Sequence, residues 1–145
     1  MRQTIAVAMV LGYLVSATPA HALQCYEIVP DAAFEAASRV VIVQLDSIQS
    51  VADSRSQFEL SFDVLASLKG PSSEKIELTL EETRWVNRSR FVAGVRYLWF
   101  LDADQTEIGI CEKILVLEGR TARWYASWQE KQTFDVTAET SNILH

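Results

Sequence analysis

Histidine is scarce in this chain: of 145 residues, only His21 and His145 are histidines. A Ser-His-Asp triad or a histidine-built metal centre therefore lacks its central residue. Cysteine is as rare. Cys25 and Cys111 are the only two and form no Cys-x-x-Cys, so no zinc knuckle and no dithiol redox motif is written here. Basic charge is also short, with 13 Lys and Arg against 19 Asp and Glu and a net charge of −6. That field repels nucleic-acid phosphates and anionic lipid alike. No apolar run approaches the roughly 20 residues that a membrane-spanning helix needs. Phosphate-binding loops, internal repeats and low-complexity linkers are missing too. The acidic pairs Glu81-Glu82 and Asp102/Asp104 fall in turns or at strand ends, where solvated charge is the ordinary state. The expectation is a protein that is not an enzyme and uses no cofactor or metal.

The segment 1–22 has the layout of a secretory signal peptide: Arg2, an apolar run from Ile5 to Val15, and the small-residue site Ala20-His21-Ala22. A retained anchor would need a longer run, and lipid attachment at Cys25 would need a small residue where Gln24 stands. Cleavage after Ala22 leaves 123 residues, the size of one domain. Arg2 is the only charge removed, so 12 basic residues face 19 acidic ones, a net charge of −7. The expected location is exported, periplasmic or secreted. In an oxidising compartment two cysteines ordinarily form one bridge, and Cys25–Cys111 is the expected disulfide.

Pro30 to Ala37 predicts a short helix capped by Asp31. Arg39 to Leu45 is apolar on both faces and predicts a buried strand. Phe58, Leu60, Phe62 and Val64 alternate with polar residues, after which the apolar set shifts phase to Leu65 and Leu68. One change of phase in a long strand implies a bulge. Lys69-Gly70-Pro71 ends that strand. Ile76, Leu78 and Leu80 mark a third strand, and Val95 to Leu101 a fourth. Tyr97 and Trp99 share one face of it, Leu98 and Phe100 the other. Ile108 to Leu117 predicts a fifth strand with Cys111 inside or beside it. From Gly119 a helix of about three turns would lay Trp124, Tyr125 and Trp128 on the body. The fold class is mainly β: a five-stranded OB-type barrel with a short N-terminal helix and a C-terminal helix. A single domain over 23–136 and a frayed tail over 137–145 complete the expected layout.

Arg84, Trp85, Arg88 and Arg90 form the one basic-aromatic cluster of an acidic chain, in the connection between strands three and four. Trp and Arg are the residues most enriched at interface hot spots. The bland alternative pairs these arginines with Glu81 and Glu82 and lays Trp85 on the barrel. Asn87-Arg88-Ser89 matches the glycosylation acceptor pattern.

Taken in order, Cys25, Ala33-Phe34-Glu35-Ala36-Ala37-Ser38, Phe62-Asp63-Val64-Leu65-Ala66-Ser67-Leu68-Lys69-Gly70, Phe91 to Phe100 and Ile110-Cys111 resemble the netrin-module family. That family includes the tissue inhibitors of metalloproteinases, and the likeness is to its bacterial members. The resemblance spans about Cys25 to Leu117 and implies an OB barrel with flanking helices. It also implies a mode of action: in the metalloproteinase inhibitors an N-terminal cysteine chelates the protease zinc through its amine and carbonyl. Cys25 is the only match to that position, and Leu23-Gln24 would precede it after cleavage at Ala22. The functional expectation is a binding module for a protein or small anionic ligand, with the strand 3–4 loop and the N-terminal segment, including Tyr26, as its surface. Metalloproteinase inhibition through Cys25 is the alternative.

Overall fold

The first strand organises the molecule. In the computed structural model, which describes residues 25–143 and their side chains through Thr133, β1 spans Arg39–Ser50. The expected signal peptide lies outside the described residues. Val40 to Val43 are all buried, as a strand apolar on both faces requires. β1 pairs antiparallel with β2 (Gln57–Lys69) and with β4 (Arg96–Leu101). β2 pairs on its other side with β3 (Lys75–Glu81). Opposite β1, Ala66 sits across from Ile42 and Val64 across from Val43, leaving Leu65 unpaired. This is the bulge that the phase shift predicts. Further irregularities lie between Val40 and Val41 and between Leu45 and Ser47.

The fifth strand is not one strand, and this corrects the five-strand expectation. β5 (Glu107–Ile108) runs parallel to β3, while β6 (Ile114–Val116) runs antiparallel to β4. The result is a six-stranded sheet in the order β5-β3-β2-β1-β4-β6. Cys111 lies in the turn between them, not within a strand. The two edge strands are consecutive in sequence, and that alone forces curvature. Laid flat, the sheet's edges would stand roughly 24 Å apart at about 4.8 Å per strand. Six extended peptide steps from Ile108 to Ile114 reach roughly 21 Å, and the turn at 110–111 shortens them further. The sheet curls into a half-barrel.

Curling gives the sheet an inside and an outside. Inside lie Val41, Val43, Phe62, Tyr97, Trp99 and the apolar faces of β2 and β3. Trp99 is fully buried, edge-on to Phe62 at 5.1 Å and stacked on Phe91 at 5.8 Å. Outside, Val40, Ile42, Leu98 and Phe100 are covered by two helices. Helix α1 covers Pro30–Ala36, and its cap is Val29 with Pro30 opening the first turn. Asp31 is therefore a first-turn residue and not the cap. Its carboxylate accepts a hydrogen bond from Trp124 Nε1 at 2.8 Å. Lys69 Nζ closes the other end of α1, donating to the carbonyls of Phe34 and Glu35 at 2.8 and 2.9 Å. A cation suits the negative end of a helix. Helix α2 covers Gly119–Ile143, roughly seven turns and not three. Its bounds run past Thr137. Phe34 lies between Trp124 and Trp128, with centroids at 6.1 and 5.9 Å.

Gly70 is required twice over at the end of β2. Its φ is +79°, and a Cβ there would lie 2.5 Å from the Ser38 carbonyl oxygen. Gly94 also has a φ of +79° and opens the turn into β4. No helix among the described residues is long and apolar enough to cross a membrane.

Candidate binding cavity at the open seam

No backbone ladder joins β5 to β6 among the described residues, and between Ile108 and Ile114 side chains make the links. Glu112 is the centre of this seam. Its carboxylate accepts from Trp99 Nε1 at 3.1 Å, from Gln105 Nε2 at 2.8 and 2.9 Å, and from the Gly109 backbone N–H. A buried indole N–H needs an acceptor, and Glu112 reaches in from the turn to supply it. The same turn holds Cys111, bonded to Cys25 with Cα atoms 5.2 Å apart. The expected disulfide is present. It fastens segment 25–29 to the turn that holds Cys111.

The loop after β3 forms the facing wall. Thr83 Oγ1 accepts from the N–H groups of Trp85 and Val86, both at 3.2 Å. Val86 and Phe91 are buried in the interior and anchor the loop at both ends. A single 3-10 turn, Arg88–Arg90, lies between them, with Asn87 Oδ1 accepting from Ser89 N–H at 2.8 Å. Tyr97 Oη accepts from Val92 N–H at 2.8 Å and donates to the Arg90 carbonyl at 3.4 Å. Trp85 remains 70% exposed on this pinned loop. Its exposure follows from how the loop is held and is not a consequence of slack.

These walls enclose an open cavity of about 890 Å³. Of the residues expected to bind, Tyr26, Trp85 and Arg90 line it, together with Cys25 and Cys111. Arg84 and Arg88 do not. The Arg84 guanidinium sits 5.4 Å from the Trp85 ring centre. Arg88 pairs with Glu82 at 3.3 Å and lies 4.1 Å from the Phe58 ring centre. For Arg88 the bland alternative, pairing with a neighbouring acid, is what the structure holds. Four of the large apolar residues that stand exposed, Tyr26, Val29, Trp85 and Ile110, converge on this one cavity.

Val29, Ile110, Glu112 and Lys113 were missed as site residues. The signal available for Glu112 was indirect: an interior Trp at position 99 must find an acceptor, and an acid follows 13 residues on. A smaller cavity of about 320 Å³ lies across the seam and shares Cys111, Glu112 and Lys113. Among the described residues, ion pairs join Lys75 to Asp46 and Asp63 and Arg88 to Glu82. Glu27, Arg90 and Lys113 belong to none of them. No three His, Cys, Asp or Glu side chains among the described residues are placed to hold a metal ion. No protein-family model matches the chain, and comparison with curated proteins finds no match.

Proposed function

We propose that the chain is an exported, non-enzymatic binding module of the OB type that takes a ligand in the cavity between Tyr26, Trp85 and Arg90. The observation that carries this reading is the convergence of four exposed large apolar side chains on one open cavity. Soluble proteins scatter such residues singly, and a cluster marks an interaction site. The OB reading draws support from the connectivity. Counted as one interrupted strand, β5 and β6 would be a fifth member touching β3 on one side and β4 on the other. The netrin-module resemblance agrees with this closure. Export is supported by the signal-like leader and by a disulfide suited to an oxidising compartment.

Photo-crosslinking tests the proposal. A crosslinking side chain at position 85 should capture a discrete partner in periplasmic extract. The same group at Leu65, which is 50% exposed on the bulge of β2, should not. Matching adducts at both positions, or none at 85, would remove the cavity as the site.

One observation favours the second reading, metalloproteinase inhibition. Cys25 is exposed at the cavity and held against the domain by its bond to Cys111, so a chain starting there would present its amine rigidly. Mass spectrometry of the mature N-terminus decides this. A start at Leu23 excludes chelation by the Cys25 amine.

A further inference from the structure

We infer that the occupant of this cavity is an extended segment of a partner protein bearing one apolar side chain beside one carboxylate. The inference rests on the binding reading above and adds the chemistry of the partner. Tyr26 is 92% exposed, Trp85 70% and Val29 59%. Small-molecule sites bury most of their ligand between walls that are themselves largely enclosed. Walls this open would leave a small ligand in water, whereas a polypeptide can cover the whole rim. Exposed Tyr, Trp and Arg around a depression are also the residues that dominate protein–protein hot spots.

Charge sets the rest. Glu112 commits its oxygens to Trp99, Gln105 and Gly109. Arg90 and Lys113 carry no side-chain hydrogen bond or ion pair among the described residues, although both line the cavity. Both are exposed, so water meets their donors in the free protein; a carboxylate brought by a partner can take its place, bridging the guanidinium in two-pronged fashion. Glu27 is the remaining acceptor and suits a backbone N–H of the incoming strand. A polyacidic segment is disfavoured by the net charge of −6. The apolar side chain therefore supplies affinity, and the single carboxylate supplies register and selectivity.

The test is selection of a displayed random heptapeptide library against the protein purified after expression of the full chain. Peptides whose binding is lost in Trp85→Ala should carry an aromatic or branched aliphatic residue adjacent to Asp or Glu. The pair Arg90→Glu/Lys113→Glu should weaken those peptides about tenfold and select a new set with Lys or Arg in the acidic position. Arg90→Gln/Lys113→Gln should abolish the acidic preference without creating a basic one, and it serves if the reversed pair fails to fold. Peptides dependent on Trp85 but indifferent to charge would overturn this inference and leave the cavity as the site. Displacement of the peptides by decanoate at equal affinity would assign the cavity to a small amphiphile and overturn it also. Absence of any Trp85-dependent peptide would overturn both the site and the inference.

Discussion

The wall made by β1 and β2 and the seam between β5 and β6 close the same curled sheet by opposite means. Along the wall, ten cross-strand pairs run from Val40–Lys69 to Ser50–Phe58 with three register shifts among them, and a ladder that long needs little from any single side chain. At the seam the edge strands have two and three residues. One carboxylate, one glutamine and one disulfide hold what the backbone does not. Cavities open on both sides of the seam. Interrupted pairing leaves space, and the side chains that compensate for it become the walls of that space.

The largest test of this contrast is removal of the covalent tether. Cys25→Ala/Cys111→Ala opens a loop of 86 residues, and chain entropy puts the loss near 4–5 kcal/mol. Denaturant unfolding should show it. A loss under about 1 kcal/mol would mean that the seam holds without the bond. On the wall side, Gly70→Ala should cost about 2–3 kcal/mol, because a positive φ and a clash with the Ser38 carbonyl act together. An unchanged unfolding midpoint would show that the end of β2 relaxes freely. Glu112→Ala should cost about 2 kcal/mol by stranding the Trp99 indole N–H. It should also raise amide exchange at Gly109 and Ile114 while leaving Val43 protected. Equal exchange in wall and seam would dissolve the distinction between them.

The smallest effect belongs to the outer surface of the wall. A hydrogen bond from Lys75 to Asp46 at 2.6 Å holds the Lys75 ammonium above the ordinary lysine value of 10.5, aided by the nearby Asp63. A raised lysine pKa contributes stability that is fully present below 10.5 and is lost as pH rises through the folded-state value. Wild type and Lys75→Met should therefore differ slightly at about pH 9 and converge once the pH has passed the raised folded-state value. A difference that persists unchanged at high pH would assign the effect to packing of the lysine stem.

Legibility in the sequence followed periodicity. Val40 to Val43 and Tyr97 to Leu101 read correctly as strands buried on both faces, and the slip after Val64 located the bulge at Leu65. The break at Cys111 did not show, because Ile108 to Leu117 is apolar enough for one strand. What divides it is a bond to Cys25 and a carboxylate turned back on Gly109, both long-range or conformational events. Asp31 looked like a cap but serves Trp124, 93 residues away. Arg84, Arg88 and Arg90 looked like one cluster. The pinned loop sends Arg88 to Glu82 and Phe58, leaves Arg84 on Trp85, and puts only Arg90 in the cavity.

From the order of residues alone came the β character, the strand faces, the bulge, the glycine that ends β2 and the pairing of two lone cysteines. Each is a matter of neighbours along the chain or of having only one possible partner. Tertiary structure decided that the last strand splits, that the sheet curls into a half-barrel, and that Tyr26, Trp85 and Arg90 line one space. Those outcomes depend on contacts between residues far apart in sequence, whose geometry no local pattern encodes.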